Sequence, residues 1–169
     1  MRKPNMYTNG TGTASGSSVI RYLSFFLNNE YYAFPISAVQ EIIPVSSLPI
    51  VRVPEFPAYA KGIINIRGMI IPVIDTRLRF HIPERPYDAK TCIITISCKG
   101  SNMGFVVDTV DGVVDVLPDQ IMGVPKISRE RADYISSVAK VDKKIIMLID
   151  SERIVTDEML QQIKDNMPN

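Results

Sequence analysis

The chain has 169 residues, of which 46% are hydrophobic, and its 19 lysines and arginines against 18 acidic residues give a formal net charge of +1. This length suits one domain or two small lobes with an apolar core, and the charge balance gives no electrostatic footprint for nucleic acid or an acidic membrane surface. Without an apolar run of roughly 18 residues or an N-terminal signal core, we expect a cytoplasmic protein with no membrane insertion.

The first predicted elements are a tail and two strands. Residues 1 to 18 contain Asn-Gly-Thr-Gly-Thr and Ser-Gly-Ser-Ser without apolar periodicity, which predicts a disordered tail. Alternating apolar residues predict a strand from Val19 to Leu27, and Asn28-Asn29 predicts the turn into a second strand from Tyr31 to Ile36. Ser37 is a candidate cap for a helical turn that ends at Glu41.

The first half of the chain ends in a predicted hairpin with a basic tip. Prolines between Pro44 and Pro57 exclude a long helix before it. Ile63 to Ile66 and Met69 to Ile74 are β-branched runs, and the Arg67-Gly68 pair between them contains a residue that tolerates positive φ. A cation on such a rigid tip suits recognition of a partner carboxylate, although a simply solvated turn residue is the alternative.

After a linker from His81 to Lys90, the pattern of the first half recurs. Ile70 to Asp75 parallels Ile145 to Asp150 at a shift of 75 positions. At a shift of 71, three residues of the first half coincide with identical residues of the second: Phe34, Val39 and Val45 with Phe105, Val110 and Val116. Two copies of one unit, about 19–80 and 91–155, are predicted, each with the short strands of a small barrel.

The C-terminus changes to a helical pattern. Thr156 is a candidate N-cap, and the following acidic pair suits the first turn of a helix. Met159, Leu160, Ile163 and Met167 fall on one apolar face. Residues 156–169 are therefore predicted to form an amphipathic helix that packs across a barrel.

Cysteine and histidine patterns give no catalytic or metal site. Cys92 and Cys98 share parity in one predicted strand and stand about 20 Å apart, so they are predicted core thiols that do not pair with each other. With His81 as the single histidine, there is no set of soft ligands for zinc. We therefore expect no metal and no cofactor.

The aspartates and aromatic residues favour neither an enzyme nor a nucleic-acid binder. Asp75-Thr76 and Asp108-Thr109 have the first two residues of the aspartic-protease motif but lack its glycine. Asp108, Asp111 and Asp115 alternate with valines, which predicts the wet face of strands. A single-strand nucleic-acid binder needs exposed aromatic residues among basic ones, whereas this chain has no tryptophan and its central phenylalanines occupy apolar strand positions.

Two long motifs carry a family resemblance. The segment Gly62 to Phe80 reads Gly-Ile-Ile-Asn-Ile-Arg-Gly, then Ile-Pro-Val-Ile-Asp, then Arg-Leu-Arg-Phe. It closely resembles the signature of CheW-like domains, the coupling proteins of bacterial chemotaxis arrays. Gly104 to Leu117 is similar to the second hairpin of that family, and the likeness runs from about Val19 to Val155.

The resemblance implies a fold and a function. The fold would be mainly β, with two intertwined five-stranded SH3-like barrels, short helical turns and the C-terminal helix. The protein would be a non-catalytic adaptor between chemoreceptor cytoplasmic tips and the regulatory domain of the histidine kinase CheA, monomeric when free and recruited to membrane-associated receptor arrays. A paralogue in a non-chemotaxis chemosensory pathway and a small-barrel nucleic-acid binder are the alternatives.

The resemblance also implies two sets of contact residues. The receptor-facing candidates, carried over from matching motif positions, are Glu41, Arg67, Gly104, Val110 and Val113. The kinase-facing candidates, which are apolar residues beside prolines or turns, are Val45, Leu48, Ile50, Met122 and Ile127. At the last two positions the chain departs from the basic and aromatic residues of some members, which puts a second, ring-forming kinase interface in doubt.

Overall fold

The computed structural model describes residues 18–124, 131 and 133–168, so residues 1–17 of the predicted tail lie outside the described residues. The strands in this part of the chain are β1 (Ile20–Leu27), β2 (Glu30–Pro35), β3 (Val39–Pro44), β4 (Ala60–Ile66), β5 (Met69–Asp75), β6 (Cys92–Cys98), β7 (Ser101–Val107), β8 (Thr109–Val116), β9 (Ile121–Met122), β10 (Ile135–Val141) and β11 (Lys144–Ile149). The α-helices are α1 (Thr76–Arg79), α2 (Ser151–Ile154) and α3 (Asp157–Asp165), with 3-10 turns at Ile36–Ala38, Val45–Ser47 and Pro118–Gln120.

The strands form two sheets, and each sheet contains strands from both halves of the chain. One sheet has the order β8-β1-β2-β11-β10-β9, and the other has the order β3-β6-β7-β5-β4. The first hairpin, β1–β2, is therefore built into a sheet with strands of the second half, and the hairpin β6–β7 joins strands of the first half. This exchange confirms the predicted intertwining.

The two parallel strand pairs are related by the sequence repeat. β11 pairs in parallel with β2, and β5 pairs in parallel with β7, while the other pairs are antiparallel. At the shifts found in the sequence, β2 corresponds to β7 and β5 to β11, so the same contact is made twice between the halves. The predicted mainly β fold is confirmed, but one sheet has six strands, because the two-residue strand β9 extends its edge.

The tight turns follow the sequence predictions. Asn28 and Asn29 have φ values of 54° and 64° between β1 and β2, and Arg67 and Gly68 have 51° and 87° between β4 and β5. Positive φ at both central residues gives the twist that two-residue hairpins need. The helical turn predicted from Ser37 to Glu41 is wrong in extent. The observed 3-10 turn covers Ile36–Ala38, because it follows Pro35 and β3 begins at Val39, and no side chain caps it.

The apolar core has one large cluster and two smaller ones. The large cluster joins strands of both sheets and the C-terminal helix α3, with Phe25, Tyr32, Phe34 and Phe105 fully buried. The smaller clusters are built mostly from strands of one sheet each. Cys98 lies buried in the large cluster as predicted, and Cys92 is half-buried against it.

The C-terminal helix is present, but α3 covers only Asp157–Asp165 of the predicted residues 156–169. The hydroxyl of Thr156 accepts a hydrogen bond from the amide of Met159 at 3.1 Å, which caps α3. Leu160 and Ile163 are buried in the large cluster, whereas Met167 lies beyond the end of the helix and is half-buried against the same cluster.

Asp108 does not lie on a wet strand face, which corrects the sequence prediction. Its carboxylate accepts two hydrogen bonds of 2.8 Å from Arg77 and one of 2.9 Å from the amide of Asn28, and both charged side chains are only 11% exposed. Burial disfavours the ionised carboxylate, but these hydrogen bonds outweigh it and hold the pKa of Asp108 below its ordinary value. The pair fastens α1 to the turn between β1 and β2. Asp111 and Asp115, by contrast, are exposed.

Candidate functional site

The tip of the β4–β5 hairpin presents Arg67 to solvent. The amide of Gly68 donates a hydrogen bond of 2.8 Å to the Asn65 side chain, which fixes the turn. The Arg67 side chain is 76% exposed. A guanidinium on a fixed turn loses little backbone freedom when it meets a partner.

Arg67 is paired with Glu41, a second predicted receptor-facing residue. Nη2 donates to Oε1 at 2.9 Å and Nη1 donates to Oε2 at 3.2 Å, so the contact is bidentate. The hydrogen bonds from Arg67 lower the pKa of the Glu41 carboxyl, and those to Glu41 raise the pKa of the guanidinium. Because the pair is on the surface, either charge is accessible to a partner.

Below this ion pair is a groove with a volume of about 590 Å³, which we call the Arg67 groove. Its lining residues are Gln40, Glu41, Ile66, Arg67, Met69, Ile71, Thr95 and Asn102. The floor is buried and mainly apolar, whereas Arg67 and Met69 are exposed and Glu41 is half-buried. An apolar floor beside a charged pair suits an apolar side chain of a protein partner flanked by polar contacts.

The sequence did not predict two residues of this groove, Thr95 and Asn102, because they come from the other half of the chain. Thr95 lies on β6 opposite Glu41 on β3, and Asn102 lies on β7. The sequence contained one sign of this contact, because Thr95 interrupts the apolar run from Ile93 to Ile96. In the structure Thr95 is only 1% exposed. A buried hydroxyl in an apolar strand marks a polar contact, and Thr95 donates to the Glu41 carbonyl at 3.4 Å.

Gly104 lies under the groove rather than on its surface. It is buried in β7, between Thr95 of β6 and Val73 of β5. A Cβ at this position would stand 2.8 Å from Cγ2 of Ile93. The missing side chain therefore makes room for Ile93, and any effect of Gly104 on a partner would act through the floor of the groove.

Val110 and Val113 lie on the other sheet, on its edge strand β8. Val113 is 61% exposed, while Val110 is half-buried against the large core cluster. Neither residue lines the Arg67 groove. The structure thus brings Glu41 and Arg67 together, and it places the two valines on a separate surface where Val113 offers the larger contact.

The predicted kinase-facing residues also divide into two groups. Val45, Leu48 and Ile50 are half-buried and cover the small core cluster of the five-stranded sheet, so part of each side chain serves packing. Met122 on β9 is 42% exposed. Ile127 lies outside the described residues.

The buried acidic residues serve structural contacts. Asp75, 1% exposed, accepts a hydrogen bond of 2.7 Å from the Tyr87 hydroxyl, and Asp108 is held by Arg77. In the part of the chain that the structure describes, no group of three or more His, Cys, Asp or Glu side chains is placed to hold a metal ion. No helix among the same residues is long and apolar enough to cross a membrane.

Comparisons with known proteins agree with one another. A family model described as CheW-like domain matches residues 21–159. The chain is 31% identical over 147 residues to the chemotaxis protein CheW of Klebsiella aerogenes, covering 86% of this chain and 87% of that protein. It is 25% identical over 146 residues to the chemotaxis protein CheA of Bacillus subtilis, covering 82% of this chain and 20% of CheA.

The fold also resembles a solved structure. The scaffolding protein TtCheW from Thermoanaerobacter tengcongensis superimposes with a TM-score of 0.76 at 30% sequence identity, over 84% of this chain and 96% of that one.

Proposed function

This chain belongs to the CheW-like domain family, and we propose that it is a non-catalytic adaptor that couples chemoreceptors to the chemotaxis histidine kinase CheA. The family model spans most of the chain. The relatives that the chain resembles are named as chemotaxis and scaffolding proteins. The adaptor would act at receptor arrays by binding its partners, without catalysing a reaction. Residues 19–155 would form the CheW-like domain, with the helix after it as an accessory.

The observation that carries this proposal is the Arg67 groove. It combines a bidentate surface ion pair with a buried apolar floor, and both members of the pair are at positions that match the family motif. A receptor carboxylate would compete with Glu41 for the guanidinium, while an apolar receptor side chain would enter the groove. Such charge complementarity favours specificity and encounter rate, and the apolar contact favours affinity.

The kinase would bind a different surface. Val45, Leu48 and Ile50 border the small core of one sheet, and Met122 is exposed at the edge of the other. A segment equal to about a fifth of a CheA resembles this chain, which supports a contact between two domains of the same type. Holding receptor and kinase on one body raises the effective concentration of each for the other and lets receptor state bias kinase state.

The direct test is reconstitution. We expect receptor-containing membranes and CheA to show receptor-controlled kinase activity when this protein is added and much weaker control when it is omitted. A pull-down from a bacterial lysate should recover a receptor or the kinase. Kinase control that is unchanged by the protein, together with recovery of only nucleic acid or a small molecule, would refute the adaptor function.

A further inference from the structure

A second depression lies between helix α3 and the β4–β5 hairpin, and we call it the α3 cleft. Its volume is about 240 Å³. Met69 and Ile70 line one side, and Leu160, Lys164 and Met167 line the other. Met69 is 52% exposed and Ile70 is 41% exposed, so the cleft is an open apolar surface.

The size and lining of the α3 cleft favour protein side chains over a small molecule. Small-molecule pockets usually enclose about 300–1,000 Å³, which is more than this cleft provides. Methionine side chains on both walls are flexible and polarisable, and such surfaces adapt to the apolar side chains of a partner. The cleft therefore suits one or two apolar side chains from another polypeptide.

The α3 cleft is continuous with the Arg67 groove. Met69 and Asn102 line both depressions, and the Asn102 amide lies 3.2 Å from the Met69 sulfur, within hydrogen-bond distance. A partner that enters the groove beside Arg67 thus meets the cleft on the far side of Met69. One partner segment would contact both depressions.

The strand beneath the cleft disfavours one mode of binding. β5 is an interior strand between β4 and β7, paired with β4 from Met69 to Ile74 and with β7 from Val73 to Asp75. A peptide added as a further strand would have to separate β5 from β7, so a partner is expected to bind here through its side chains. An amphipathic helix, which presents apolar residues at spacings of three and four, is the partner that such a groove accepts.

Lys164 supplies the charge at the cleft. It lies on the exposed side of α3, next to the cleft, and it makes no ion pair among residues 18–124, 131 and 133–168. An acidic residue of the partner would complement it. From the shared walls, the interior position of β5 and this cation, we infer that the receptor helix that meets Arg67 continues across Met69, inserts apolar side chains into the α3 cleft and places an acidic residue at Lys164.

This inference rests on the proposed receptor-binding function, and two surface variants test it. Ile70→Asp places a carboxylate in the cleft, and we expect it to weaken binding of a soluble chemoreceptor cytoplasmic fragment by roughly tenfold or more. Lys164→Glu reverses the charge next to the cleft, with an expected loss of roughly two- to fivefold. Affinity is measured by titration calorimetry, in parallel with the melting temperature.

Matched controls come from elsewhere in the molecule. Ile145 is the repeat counterpart of Ile70 and is 46% exposed, so Ile145→Asp makes the same change on the other sheet. Lys143→Glu makes the same charge reversal at an exposed turn. Both controls should bind the receptor fragment with unchanged affinity.

The outcomes separate this inference from the proposed function. If Arg67→Glu loses receptor binding but Ile70→Asp and Lys164→Glu keep full affinity, the α3 cleft is not part of the receptor site and the inference fails alone. If the cleft variants lose affinity for CheA instead of the receptor, the inference is also overturned. If Arg67→Glu keeps full receptor affinity as well, the proposed receptor site itself is wrong.

Discussion

Arg79 donates hydrogen bonds from Nε and Nη2 to the carbonyl oxygen of Ile154, at 3.1 and 3.0 Å, and so ties α1 to α2. Arg79 and Ile154 occupy equivalent positions in the two repeats, at a shift of 75. The same guanidinium lies 4.9 Å from the ring centre of Tyr59 and 4.7 Å from that of Tyr134, which is again an equivalent pair. One side chain therefore clamps the junction between the two halves.

Replacing Arg79 should loosen this junction. We expect Arg79→Ala to lower the free energy of unfolding by about 2 kcal/mol, because two cation–π contacts and a charged hydrogen-bonding group are lost together. Arg79→Lys should recover only part of the loss, since an ammonium group lacks the planar fork. Urea denaturation measures both values, and an alanine variant as stable as the parent would contradict the clamp.

Reversing the charge of Arg67 should affect binding and spare the fold. Arg67→Glu places two carboxylates together at the groove, so we expect receptor co-sedimentation to be abolished while the melting temperature stays nearly unchanged, because the side chain is exposed. Arg153→Glu is the matched control, since Arg153 is 57% exposed, pairs with Asp150 and does not line the groove. A large fall in melting temperature in Arg67→Glu would instead assign a structural role to the pair.

Removing the charge of Asp108 should make stability less dependent on pH. The lowered pKa of Asp108 means that its ionised form stabilises the fold above the unfolded pKa of about 3.9, and that this contribution is lost as pH falls through the lower folded pKa. Asp108→Asn should lower the unfolding free energy by about 3 kcal/mol at pH 7, because it leaves Arg77 buried and unpaired.

The difference between the parent and Asp108→Asn should narrow as the pH falls below about 4. Urea titrations at pH 7, 5 and 3 measure this trend. If the difference in unfolding free energy is the same at all three pH values, the hydrogen bonds of Asp108, rather than its charge, account for the lost stability.

Adding a methyl group at Gly104 should disturb the groove from below. The new Cβ would lie 2.8 Å from the Ile93 methyl group, and Ile93 is fully buried, so we expect Gly104→Ala to cost about 1–3 kcal/mol in stability. Gly123→Ala, where nothing lies within 4 Å of the new atom, is the neutral control. Equal stability of the two variants would show that Ile93 moves aside freely.

The sequence determined the local elements of this protein. The Asn28-Asn29 and Arg67-Gly68 turns, the β-branched runs beside them and the Thr156 cap each depend on a few neighbouring residues, and the described structure contains all of them. The repeat was readable for the same reason, because two copies of one strand pattern leave the same spacing of apolar residues. The exposed tip position of Arg67 followed from its turn alone.

Only the tertiary structure decided which strands became neighbours. The parallel pairing of β2 with β11 and of β5 with β7 joins segments far apart in the chain, and an apolar strand carries no local mark of its partner. The pairing of β3 with β6 and of β5 with β7 places Thr95 and Asn102 in the Arg67 groove. Burial of Asp108 against Arg77 likewise depends on the packing of α1 on the first hairpin, since the alternation of valine and aspartate by itself is also the pattern of an exposed face.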